Sequence, residues 1–143
     1  VDTFALVHGD FVIDGSGNYA MLSGADRIRQ DLSLALLEEY GSDRFHPKYG
    51  SVVKSYIGNV IDENLQQLVK AEVNRVVTTY ISIQQAEVLR DSAVDIAGRF
   101  NTSDVVRNIT SVDVHATYDT IYVAATLETL ARETVTVSRQ ITT

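Results

Sequence analysis

Between Val112 and Thr142 the chain alternates apolar and polar residues in three successive runs, and this restricts its fold more than any other feature. Val112, Val114, Ala116 and Tyr118 alternate with Asp113, His115 and Thr117. Asp119-Thr120 then turns the chain into Ile121, Val123, Ala125 and Leu127. The last run, Glu133 to Thr142, sets Val135, Val137 and Ile141 against Thr134, Thr136 and Ser138. A period of two sends one set of side chains to each face of a strand. Three such strands joined by short turns predict an antiparallel meander with one apolar face. That face needs a cover, which the rest of the chain must supply.

Two helical patterns can supply it. Ile28, Leu32 and Ala35/Leu36 trace one face of a helix over 24–40, widened by Leu34 and Leu37, with Arg27, Gln30, Asp31 and Glu38 on the polar side. Ser23 followed by Asp26 resembles a capping box at its start, and Gly41 stands where a helix takes its left-handed last residue. From Asp62, the residues Leu65, Leu68/Val69, Val73, Val76/Val77 and Tyr80 repeat at three-and-four spacing, predicting a second, longer helix. A short helical turn is expected around Ser51 to Ile57. Residues 81–100 fit two descriptions: Ala86, Leu89/Arg90, Ala93, Ile96/Ala97 and Phe100 suit a helix, while Ile81, Ile83, Val88 and Val94 favour an extended segment.

The first twenty residues read as β, with Phe4, Leu6, Phe11 and Ile13 around a His8-Gly9-Asp10 turn, a polar loop at Asp14 to Asn18, and a further short strand at Tyr19 to Leu22. The expected fold class is therefore α+β: an N-terminal β-hairpin and two main amphipathic helices packed on a C-terminal antiparallel sheet of about three strands. At 143 residues a single domain over 1–143 is expected.

Charge and composition narrow the partners. The net charge is −7, and the 12 basic residues are scattered, so a phosphate backbone would be repelled and no nucleic-acid partner is expected. No apolar run approaches the ~20 residues that span a bilayer. A soluble, cytoplasmic chain without a membrane partner is the expectation. There is no cysteine, which removes disulfides, thiolate metal sites and a Cys-His nucleophile.

The remaining candidate chemistry is weak. His8, His46 and His115 lack the spacing of a metal site. Asp14-Gly15-Ser16-Gly17-Asn18 lacks the third glycine of a dinucleotide loop, the Lys-Ser/Thr of a phosphate loop and the glutamate of a calcium loop. No G-x-S-x-G elbow occurs. Glu38, Glu39 and Asp43 form a cluster of carboxylates, but neighbours on a helix point about 100° apart and would not readily flank one glycosidic bond. From chemistry alone, no catalytic residue, cofactor or metal is expected, and the chain does not read as an enzyme.

The stretch Glu38 to Ser51 holds the one proline of the chain with two glycines, three aromatics, a histidine, an arginine and a lysine. Pro47 fixes its own φ and holds His46 extended, so no helix can continue through it. Gly41 and Gly50 allow backbone conformations that a Cβ would forbid. Phe45 and Tyr49 are placed to pin the loop, and Arg44 carries donors suited to a carboxylate or to loop carbonyls. The segment reads as a rigid elbow built on Gly41, Arg44, Pro47, Tyr49 and Gly50.

In order, His8-Gly9-Asp10-Phe11, Leu22-Ser23-Gly24, Ile28-Arg29-Gln30-Asp31-Leu32, Gly41-Ser42-Asp43-Arg44 and Pro47-Lys48-Tyr49-Gly50-Ser51 resemble the baseplate wedge, or sheath initiator, family of contractile-tailed phages and related injection systems. The match is most specific over residues 22–51. One departure stands out: where many members carry Glu-Pro-Arg, this chain has Asp104-Val105-Val106-Arg107, leaving Arg107 for the arginine's place. The resemblance implies a structural virion protein of the tail baseplate, assembled in the host cytoplasm in several copies around a ring. Its implied partners are the tail sheath protein, other baseplate wedge proteins and the tail tube or hub. It further implies a likeness to the C-terminal domain of the sheath subunit, whose sheet accepts extended arms by strand addition. The candidate edge is Thr134, Val135, Thr136, Val137 and Ser138. The alternative is a peptidoglycan-degrading muramidase of the tail.

Overall fold

The computed structural model describes residues 2–93 and 100–143. Strands β1 (Thr3–Phe4), β2 (Leu6–Val7), β3 (Asp10–Phe11) and β4 (Met21–Leu22) precede helix α1 (Gly24–Leu37). A 3₁₀ turn at Val53–Tyr56 leads to helix α2 (Glu63–Ala93), and strands β5 (Val106–Ala116), β6 (Thr120–Thr129) and β7 (Thr134–Thr142) complete the chain. The fold is α+β.

The C-terminal strands form an antiparallel sheet in the order β5-β6-β7. Its apolar face is the row that alternation predicts: Ile121, Val123, Ala125 and Leu127 of β6 and Val135, Val137 and Ile141 of β7 are buried. Tyr118 does not join that face. It sits in the β5–β6 turn, 77% exposed, because Thr117 N–H bonds Thr120 O and closes the hairpin there. Helix α1 lies against β7 and α2 against β5, so the two helices share the cover. Ile28, Leu32, Ala35 and Leu36 from α1 meet Leu65, Val69, Val73, Val76, Val77 and Tyr80 from α2 in one continuous core.

The helix ends differ from the sequence expectation. No Ser23 side-chain cap forms; Asp104, 80 residues away, accepts the Gly24 N–H at 2.7 Å instead. Helix α1 stops at Leu37, not residue 40, since Glu38 is already extended (ψ 136°). At the start of α2, Asp62 Oδ1 accepts the Leu65 N–H at 2.7 Å, as a capping residue should. Helix α2 runs on to Ala93, which resolves 81–93 as helix; Val94 and Ile96/Ala97 lie outside the described residues.

Two glutamine amides join the layers. Gln30 of α1 donates to Phe4 O and accepts from Leu6 N–H, both at 2.8 Å, tying the N-terminal strands to the helix. Gln84 of α2, 2% exposed, accepts from Val106 N–H and donates to Asp104 O, so it anchors the start of β5. In the N-terminal layer itself, the β2–β3 hairpin turns through His8 and Gly9, both at positive φ (52° and 88°), the pairing that a two-residue loop between twisted strands needs.

Candidate functional site

The elbow is built as a ladder without a strand. After α1 ends, Glu39 bridges Ser51 in parallel fashion. Ser51 N–H donates to Glu38 O at 2.8 Å, Tyr40 N–H to Ser51 O at 3.2 Å and Gly41 N–H to Tyr49 O at 3.1 Å. This pairing ends the helix, so Gly41 (φ 78°) serves the turn beyond it and does not cap α1. Gly50 has φ 91°, and a Cβ there would stand 2.7 Å from Glu39 O and 3.0 Å from Glu38 O. No other residue type fits without moving the backbone.

The side chains that hold this ladder differ in part from those expected. Tyr49 is half-buried and its hydroxyl donates to Asp31 O at 3.3 Å. Burial and the negative charges of Asp31, Glu38 and Asp43 push its pKa up to about 12. Phe45, expected to pin the loop, is 90% exposed at its tip. Pro47 is exposed as well, and Arg44 is exposed with no hydrogen bond or ion pair among the described residues. The arginine that does the bracing is Arg75 of α2. It donates to Lys48 O at 3.2 Å, to Gly50 O at 2.7 Å and to Glu72 at 2.7 and 2.8 Å, with its guanidinium 4.6 Å from the Tyr40 ring centre. Glu72 Oε1 also accepts the Val52 N–H at 2.9 Å. Burial alone would raise the Glu72 carboxyl, but the Arg75 and Val52 donors outweigh it and hold the pKa below the usual value. The sequence signal for this pair was a Glu and an Arg three apart amid the buried valines of α2.

The carboxylates of the elbow point in separate directions. Glu38 accepts from the Ser42 hydroxyl at 2.9 Å, and both Glu38 and Glu39 are exposed. Asp43 accepts the Phe45 N–H at 2.8 Å and lies 3.1 Å from His46 Nδ1, and these two contacts lower its pKa. Beside the elbow, a groove of about 550 Å³ runs between Phe45 to Tyr49 and the Thr78, Ser82 and Ala86 side of α2. On α1, Arg27, expected on the polar side, is buried, pairs with Asp31 at 3.3 Å and lies over the Phe100 ring. Asp31 also accepts from the Tyr80 hydroxyl at 3.0 Å; burial raises its pKa despite Arg27 and Tyr80.

The sheet ends in two strands with one neighbour each. On β7, Thr134, Thr136 and Ser138 are exposed while Val135 and Val137 are buried. Thr129 N–H bonds Glu133 O at 3.0 Å and sets the phase of the hairpin. Val135, Val137, Arg139 and Ile141 therefore bond β6, and Thr134, Thr136, Ser138 and Gln140 turn their N–H and C=O groups outward. One outward acceptor has a partner: Arg29 Nε donates to Thr136 O at 3.3 Å. Strand β5 forms the opposite edge, with register shifts between Val106 and Asn108 and between Ile109 and Ser111. Such irregularities discourage a further strand on that side. Arg107 is exposed on it. A third surface is apolar: the Phe4, Phe11 and Tyr19 rings meet edge to face at 5.5–5.6 Å, yet each is about half exposed.

Among the described residues no three His, Asp or Glu side chains converge as a metal site. None of the described helices is long and apolar enough to cross a membrane.

A crystal structure from Geobacter sulfurreducens, provisionally named a tail lysozyme, is similar to this chain. The likeness covers 85% of this chain and 93% of the other, with a TM-score of 0.53 and 13% sequence identity. At that identity it is a likeness of fold. No family model and no curated protein matches the chain. The expectation that the chain is not an enzyme is overturned by this neighbour, since a protein of the same fold carries an enzyme's name. That expectation rested on missing local motifs. Catalytic groups are assembled by tertiary contacts between distant residues, so a short-range motif search does not exclude them.

Proposed function

We propose that this chain belongs to a phage tail and, more narrowly, to the baseplate of a contractile one, where it anchors the first ring of the tail sheath. The tail association is supported by the name of the Geobacter neighbour. The observation that carries the narrower reading is the open β7 edge of the β5-β6-β7 sheet, with outward backbone groups from Thr134 to Gln140. An extended arm of the sheath protein would add to β7 as a fourth strand. Main-chain hydrogen bonds then supply affinity without a pocket. The braced elbow suits a part that must hold its shape under load, and the exposed Phe4-Phe11-Tyr19 cluster offers a separate face to wedge, tube or hub proteins. In this reading several copies stand around a ring in the virion tail, assembled in the host cytoplasm.

Co-assembly with the sheath protein of the same tail tests the reading. Ser138→Pro removes an outward N–H without touching the β6 ladder, so the chain should stay folded and lose sheath binding. Unchanged binding by this folded variant overturns the strand-addition reading.

A second reading, a peptidoglycan hydrolase of the tail, is favoured by the neighbour's name. Clearing of a peptidoglycan suspension decides it. Lysis that disappears in Glu38→Gln or Glu39→Gln supports the hydrolase; no lysis by the intact chain removes it.

A further inference from the structure

Beside the β7 edge lies a groove of about 750 Å³, and its lining states what kind of strand the edge accepts. One wall is the N-terminal hairpin at Leu6; the other is β7 at Arg139; the floor is the flank of α1 formed by Arg29, Leu34 and Leu37. Leu34 and Leu37 lie on a helix that otherwise buries its leucines, yet they are 37% and 41% exposed. A strand added to β7 at the usual ~4.8 Å spacing would send every second side chain down onto this floor. Those side chains must be apolar to cover Leu34 and Leu37.

Charge fixes one more position. Asp26 and Arg29 neutralise each other at 2.6 Å. Arg139 has no ion pair among the described residues and interrupts the buried Val135-Val137-Ile141 row of β7 with a cation. In a chain of net charge −7, the groove therefore carries one unneutralised positive group. The geometry points to an extended partner segment whose groove-facing side chains are apolar except for one carboxylate, set against Arg139. This inference rests on the strand-addition reading and specifies its partner. A second copy of this chain is a poor occupant, because its β7 carries no carboxylate to set against Arg139; the one charge on that strand is Arg139 itself. Arg29 has a complementary part. Its bond to Thr136 O covers one edge acceptor, which hinders unsolicited pairing and must be shared or released when the right strand arrives.

Peptide titration of the full chain, followed by amide NMR, tests this. The probes are Thr-Val-Thr-Glu-Thr-Val-Thr with blocked ends, the same peptide with Lys for Glu, and one that keeps Glu and carries Pro in place of the Thr that follows it. The glutamate peptide should shift the Thr136, Ser138 and Gln140 amides, and the proline peptide should not. Arg139→Glu should weaken the glutamate peptide by about tenfold or more and make the lysine peptide the better ligand, as swapped charge pairs do. Equal binding of the glutamate and lysine peptides, shifts on β5 in place of β7, or no binding by any peptide overturns the inference. Peptide binding without sheath co-assembly would instead remove the baseplate reading and leave this one standing. Sheath co-assembly unaffected by Arg139→Glu would do the reverse.

Discussion

The elbow and the β7 edge are both short stretches of extended backbone, but they dispose of their hydrogen-bonding groups in opposite ways. From Glu38 to Ser51 the chain pairs with itself and with Arg75, which occupies the Lys48 and Gly50 carbonyls. From Thr134 to Gln140 the outward groups of β7 face away from the sheet, and Arg29 reaches one of them. A backbone group left unpaired in the interior costs about 1–3 kcal/mol, whereas at a solvated edge water satisfies it. The elbow is thus finished by folding alone. The edge is left available for another chain.

This contrast is open to test, from large effects to small. Gly50→Val puts a β-branched side chain at φ 91° and against Glu39 O, and should cost more than about 3 kcal/mol or prevent folding, measured by chemical denaturation. If it folds with wild-type stability, the elbow is not the rigid piece described. Glu72→Ala strips the Val52 N–H and the Arg75 guanidinium of their acceptor and should cost about 2–3 kcal/mol in the same measurement. Acid titration reads the same contact from the other side. Glu72 is held below its usual value of 4.5, so its contribution is complete above that pH and disappears as the pH falls through the lowered value. The loss should be absent in Glu72→Gln. Arg29→Ala exposes Thr136 O at the edge and should change stability by less than about 1 kcal/mol while raising self-association in sedimentation experiments. Ser138→Pro should be the mildest for stability, within about 1 kcal/mol, since the N–H it removes bonds nothing in the fold.

What could be read beforehand follows the same division between local and distant causes. The period-two run on β6 and the three-and-four spacing of Ile28, Leu32 and Ala35/Leu36 predicted buried faces that the structure contains. Both patterns are set by backbone geometry within a few residues. Leu34 and Leu37 follow the same spacing but flank the groove, because the width of a buried stripe depends on what packs against it. Arg44 and Arg75 show the limit for polar roles. Both are arginines able to brace a loop of carbonyls, and the choice between them is made by where α2 passes, which no local pattern encodes. The start of α1 makes the same point, since Ser23 is the natural cap by position and Asp104 the actual one. The edge strand was legible as a strand, but its groove was not, since Leu6, Leu34 and Arg139 come from three separate elements.

The Asp104–Gln84 junction has a consequence for the order in which the molecule assembles. Asp104 accepts the first amide of α1, and its own carbonyl takes the Gln84 side chain, which in turn holds the first amide of β5. None of these bonds can form from neighbours in sequence, so α1 cannot gain its cap before the C-terminal third arrives. The bonds join α1 to Asp104, α2 to Asp104 and α2 to β5, so each element is held at this point by a residue distant in sequence. The Gly24 amide should therefore exchange with solvent only when Asp104 lets go, and the Val106 amide only when Gln84 does, so neither rate is set by fraying of its own element alone. Chain growth from the N-terminus would leave the first helix waiting uncapped until Asp104 is made.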